Sequence, residues 1–175
     1  MKPLVMVFTG DGKGKTTAAL GCVFRALGRN GRCAVIQFIK PESQESGEKM
    51  MACKCGLLWE NYGKGFLWNQ ESLAPTREQV LKGFKRVREL ASGGQYDLIA
   101  LDEITYAFSY GLLDEAEFLK WLELFKAQEN GPCLILTGRG ASEALINAAD
   151  TVTEMKNIKH HYSSEQRKAC PFIEF

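Results

Sequence analysis

Residues 4–20, LVMVFTGDGKGKTTAAL, decide how the rest of the chain is read. Leu4 to Phe8 is rich in apolar and β-branched residues, the pattern of a strand buried on both faces. Gly10, Gly12 and Gly14 then mark a tight loop, and Lys15, Thr16 and Thr17 open an Ala/Leu-rich helical segment. Strand, glycine-rich loop, Lys-Thr and helix in that order is the context of a phosphate-binding loop. Its glycines let backbone N–H groups point at a polyphosphate, and the helix N-terminus adds partial positive charge. The Lys15 ammonium can neutralise phosphate oxygens, and the Thr16 hydroxyl is placed to ligate Mg²⁺. The spacing departs from G-x-x-x-x-G-K-[ST] at one position, where Thr9 replaces glycine, and Lys13 adds a second cation. Gly10, Asp11, Gly12, Lys13, Gly14, Lys15, Thr16 and Thr17 are therefore the expected nucleotide cradle.

The totals set bounds. With 175 residues the chain is expected to be one domain with a substantial core. A formal net charge of +1 gives no broad electrostatic case for nucleic acid or an anionic membrane. No apolar run reaches the roughly 18 residues of a membrane span. The start, MKPLVMVF, reads as a core strand and not a cleavable signal, so a cytoplasmic protein is expected. Six cysteines raise a metal or disulfide reading. Cys22, Cys33 and Cys133 lie in apolar runs and read as core residues. Cys53 and Cys55 form a C-x-C pair with no second pair at zinc spacing, so free thiols are the expectation.

Along the chain, Ala18–Leu27 continues the first helix to stops at Gly28 and Gly31. CAVIQFI (33–39) is a second buried strand, 42–56 has no clear assignment, and Leu57–Asn61 is a third strand. YGKGFLWNQ (62–70) reads as a loop carrying Tyr62, Phe66 and Trp68, either as core plugs or as a flat apolar surface for a ligand. Thr76–Ala91 is a helix with a Thr76/Gln79 capping box. YDLIALDE (96–103) is an apolar strand ending in two acids, the position from which phosphate-loop proteins supply a carboxylate to Mg²⁺. Asp102 or Glu103 is expected to hold the ion, directly or through water. Asp114–Lys126 is a helix capped by Asp114, 132–137 a strand, 142–148 a helix, 151–155 a strand, and 171–175 a final strand. Arg139, between two glycines after a strand, suits contact with phosphate or ribose. Alternating strands and helices imply an α/β fold with a mainly parallel sheet and right-handed crossovers.

GDGKGKTTAA, VIQFIK, GFLWNQ, LDEITYAFSYGLLD, ILTGRG and ADTVTEMKNIKHHY occur in this order. Together they resemble the ATP:corrinoid adenosyltransferases of the phosphate-loop type, from about Val5 to Phe175. The resemblance implies a RecA-like phosphate-loop fold, usually a homodimer. Its members transfer the 5′-deoxyadenosyl group of ATP to Co(I) of a corrinoid, cobalamin or cobinamide, and release triphosphate in adenosylcobalamin synthesis or salvage. It further implies Mg²⁺ or Mn²⁺ on Thr16 and Glu103, Phe66 and Trp68 against the corrin's lower face, and a flavoprotein-type reductant. Lys13 and Lys15 would stabilise the leaving polyphosphate. This chain has Gly10-Asp11-Gly12 where the family commonly has Gly-Asn-Gly, and it begins at the first strand where many members carry an extension that helps cover the site. Two other readings compete: a kinase or ATPase cleaving at the γ-phosphate, and a nucleotide- or corrinoid-binding protein without turnover.

Overall fold

Strand residues here alternate between two apolar faces, which is what a parallel sheet covered on both sides demands. The computed structural model describes residues 2–43, 45–65, 72–161, 170 and 172–173. In chain order the elements are β1 (Val5–Thr9), α1 (Lys15–Leu27), β2 (Cys33–Ile39), α2 (Gly47–Cys55), β3 (Leu58–Gly63) and α3 (Ala74–Ser92). There follow β4 (Leu98–Asp102), α4 (Ile104–Ser109), α5 (Glu115–Lys126), β5 (Cys133–Thr137), α6 (Glu143–Ala148) and β6 (Thr151–Glu154). The six strands form one sheet in the order β3-β2-β4-β5-β1-β6, and every pairing is parallel. This is the α/β fold of a phosphate-loop nucleotide-binding domain.

Val5, Val7, Ala34, Ile36, Phe38, Ile99, Leu101, Leu134 and Leu136 face the larger core, packed with α3, α4, α5 and α6. Phe8, Val35, Ala100 and Ile135 face the other way, against Ala19 and Val23 of α1. All strands run the same way, so their carboxyl ends share one edge. β5 lies between β1 and β4, so the loop after β1 and the acids ending β4 flank its carboxyl end.

Several elements differ from expectation for local reasons. Residues 47–55 form a helix, capped by the Ser46 hydroxyl accepting from Lys49 N–H and closed by Gly56 in the left-handed region. α3 starts at Ala74, with Pro75 in its first turn and no side-chain cap at Leu73. Thr76 is buried inside that helix, so the Thr76/Gln79 capping box is not its N-terminus. Tyr62 and Gly63, expected in a loop, complete β3. Asp114 caps α5 as expected, its carboxylate accepting from Ala116 N–H at 2.9 Å. Of the strand expected over 171–175, Phe172 and Ile173 form a turn and the other positions lie outside the described residues. Cys33 is buried, Cys22 and Cys133 are half-buried, Cys53 and Cys55 are exposed, and all five are free thiols. No helix among the described residues is long and apolar enough to cross a membrane.

Candidate active site

The loop from Gly10 to Gly14 returns on itself because three glycines allow it. Gly10 and Gly14 have φ of 96° and 117°, where a side chain is strained. Gly12 N–H donates to Met155 O at 2.7 Å, and a Cβ at Gly12 would lie 2.7 Å from Lys156 O. The loop is thus clamped onto the chain leaving β6. α1 begins at Lys15, and Gly14 before it supplies no side-chain cap, so the first-turn N–H groups keep their capacity for an anion. Lys15 is buried, and its ammonium donates to Gly10 O and Gly12 O, both at 2.7 Å. Burial and the Arg139 charge push its pKa down, opposed by Glu103, Asp11 and Asp102. Asp11 and Lys13 of the loop are exposed, as is Thr17 in the first turn of α1.

Thr16 joins this loop to the acid pair. Its hydroxyl donates to Asp102 Oδ1 at 2.8 Å, and Thr137 Oγ1 donates to the same oxygen at 2.6 Å. Gln37 Nε2 donates to Asp102 Oδ2 at 2.7 Å. Asp102 is 2% exposed, and these donors, with the Lys15 ammonium acting on it through charge, stand in for water around its carboxylate. Glu103 follows in the left-handed region, φ 61°, its N–H held by Thr137 Oγ1 at 3.0 Å. Its Oε2 is buried and without a hydrogen-bond partner. Burial, and then the neighbouring Asp102 charge, raise the Glu103 pKa to about 7, against the pull of Lys40, Lys15 and Arg139. A buried carboxylate oxygen lacking a hydrogen-bond donor is the kind of hard oxygen ligand a divalent cation takes.

Arg139 is exposed, but its backbone is tied to the acids: Thr105 Oγ1 donates to Arg139 O at 2.7 Å. Gly138, at φ 138°, leaves no room for a Cβ beside Thr105 and Glu103. At the end of β2, Ile39 has φ 70° and Lys40 N–H donates to Phe38 O at 2.8 Å, a γ-turn that is strained for a β-branched residue. This turn precedes Lys40, whose charge acts on Glu103.

The whole chain, residues 1–175, matches the family described as ATP:corrinoid adenosyltransferase BtuR/CobO/CobP. The chain belongs to that family. A corrinoid adenosyltransferase of Sinorhizobium is 36% identical over 165 residues, 93% of this chain and 76% of the relative. Those of Escherichia coli and Salmonella typhimurium, the latter called CobA, are each 31% identical over 161 residues, 92% of this chain and 80% of theirs. Lys15, Thr16, Asp102 and Glu103 lie together at the carboxyl edge of the sheet, with Arg139 exposed at the rim. Phe66 and Trp68 lie outside the described residues. Gln37, Lys40 and Thr137 were missed. The available signal was a polar residue breaking a buried apolar strand, Gln37 in CAVIQFI and Thr137 in CLILT.

Proposed function

We propose that this chain carries the 5′-deoxyadenosyl group of ATP to Co(I) of a corrinoid substrate, cobalamin or cobinamide, in adenosylcobalamin synthesis or salvage. The Co(I) electron pair attacks the ribose 5′-carbon, the cobalt–carbon bond forms, and the C5′–O bond breaks with its electron pair leaving on triphosphate. The observation carrying this reading is the union of the phosphate loop with a buried acid pair at one sheet edge. Co(I) is itself a strong nucleophile, so the protein's work is alignment and stabilisation of the leaving group.

Gly10 to Thr17 hold the triphosphate, with Lys13 and Lys15 opposing the charge that builds on it. Lys15 exchanges its Gly10 and Gly12 carbonyls for phosphate oxygens. Arg139 contacts phosphate or ribose from the rim. The unpartnered Glu103 oxygen and the Thr16 hydroxyl would hold Mg²⁺ or Mn²⁺, with Asp102 acting through Thr16. Bound there, the cation would neutralise developing charge on the polyphosphate. Phe66 and Trp68 pack under the corrin, displace the lower ligand of cobalt and ease reduction of Co(II), as axial ligation tunes haem. The chain works as one domain, in a homodimer, in the cytoplasm, with electrons from a flavoprotein-type reductant. This assignment extends the family resemblance.

The test is anaerobic: protein, ATP, Mg²⁺ and chemically reduced cob(I)alamin, followed by loss of the Co(I) absorption and identification of the phosphate product. Adenosylcobalamin with triphosphate is expected. ADP without corrinoid change would instead make the protein a kinase or ATPase.

A further inference from the structure

Cross-strand neighbours end the α1 side of the sheet in a line of polar groups. Asn61 pairs with Gln37, and Gln37 pairs with Asp102, in the parallel register. All three are buried. Their side chains are bonded in a single direction. Trp59 Nε1–H donates to Asn61 Oδ1 at 2.9 Å, Asn61 Nδ2 donates to Gln37 Oε1 at 3.0 Å, and Gln37 Nε2 donates to Asp102 Oδ2 at 2.7 Å. An indole N–H can only donate and an ionised carboxylate can only accept. Each amide between them therefore has one orientation that satisfies both neighbours. Pro41 O, accepting from Asn61 Nδ2 at 3.3 Å, fixes the same orientation.

Asp102 passes this order on. With Oδ2 taken by Gln37, Oδ1 is left to accept from Thr16 and Thr137. Thr16 has one hydroxyl proton, and donating it to Asp102 leaves the oxygen lone pairs for a cation. A carboxylate free to turn would release that proton to point elsewhere. We propose that Gln37 and Asn61 are positioning residues of the cation site: the one-way relay Trp59–Asn61–Gln37 holds Asp102 so that Thr16 offers lone pairs, not its proton, to the metal. The inference rests on the reading of Thr16 as a cation ligand. Outer partners of this kind carry roughly 10–100-fold in metal affinity.

The experiment is a Mn²⁺ titration of the full-length protein with ATP, read by EPR, beside ATP affinity without metal. Asn61→Asp keeps the size and the acceptor for Trp59 but replaces the donor facing Gln37 with an acceptor. Gln37 then turns its NH₂ toward position 61 and its oxygen toward Asp102. The expected result is a roughly tenfold loss of Mn²⁺ affinity with metal-free ATP affinity held within about twofold. Gln37→Leu loses a similar factor, and adding Asn61→Asp to it causes no further loss, because the relay acts in series. Trp59→Phe, which removes one N–H and keeps a ring, is the safeguard against misfolding, with a loss of about two- to threefold expected. If the folded variants melt lower but bind Mn²⁺ as the wild type does, the line of amides serves folding alone and the proposal falls. A wild type that binds Mn²⁺ with ATP but transfers nothing to cob(I)alamin overturns the reaction and leaves the relay supported by the variants. A wild type that binds no Mn²⁺ overturns the relay with its cation site.

Discussion

Lys15 is 9% exposed and its ammonium rests on two loop carbonyls, so its charge is poised for phosphate and contributes little to the core. Lys15→Ala is expected to lower transfer by about 10²–10³, the scale of losing one preorganised donor. Its melting temperature should stay close to that of the wild type. Turnover unchanged in that variant would remove the triphosphate from this loop. Glu103 gives a pH signature of defined sign. Its pKa is raised to about 7 in the folded protein, above the ordinary carboxylate value, so the folded state binds the extra proton between these two values. Its contribution is therefore fully present below the unfolded pKa and is lost as pH rises through about 7. Without metal, the wild type should lose up to about 3 kcal/mol relative to Glu103→Gln between pH 4.5 and 7. Urea midpoints measured across that range check it, and parallel curves for the two proteins would refute it. Cation affinity should move oppositely, rising with pH, because the ligand is the carboxylate.

The elements divide by how strongly the sequence marks them. β1, α1, β4, α5 and β5 were legible because period-2 or period-3.6 patterns, capping residues and glycines agree over several residues. α2 was not: residues 47–55, GEKMMACKC, bury only Ala52 among them and carry no apolar stripe. α4 is six residues long, too short for a period to declare itself. The loop and both acids of the proposed site were legible as motifs, whereas Gln37 and Asn61 of the proposed relay were not, because a lone amide in a strand acquires meaning only when register sets it beside another. Gly83 supplies the prediction proper to this scale. It lies inside α3, where a Cβ would meet Tyr62 at 2.8 Å and Phe38 at 2.9 Å. A larger residue gains about 1 kcal/mol of helix propensity but must force α3 off the sheet, at roughly 1–3 kcal/mol or more. Overpacking wins, and Gly83→Leu should lower the denaturant midpoint while the folded fraction keeps its kcat. A midpoint equal to or above the wild type's would mean that α3 sits less tightly on β3 than these contacts require.

At the scale of the molecule, the all-parallel order β3-β2-β4-β5-β1-β6 matters because it gathers separate pieces of sequence at one edge. The loop hangs from β1 and is clamped by Met155 after β6, the acids end β4, Thr137 ends β5, and Gln37 and Asn61 come from β2 and β3. A nucleotide bound there would bridge segments that unfolding separates, so it should stabilise the whole fold and not the loop alone. By mass action, ATP with Mg²⁺ at 100 times its Kd adds about 2.7 kcal/mol. For a chain of this length that is a rise in Tm of roughly 5–10 °C. Calorimetry on the wild type should find this shift, and Lys15→Ala should lose most of it. The Gly83→Leu variant, with its lower starting Tm, should still gain the full increment, because α3 supplies none of the groups assigned to the nucleotide. An equal shift in Lys15→Ala would place ATP elsewhere, and a reduced shift in Gly83→Leu would mean that the α3 packing and the nucleotide edge are coupled through β2 and β3.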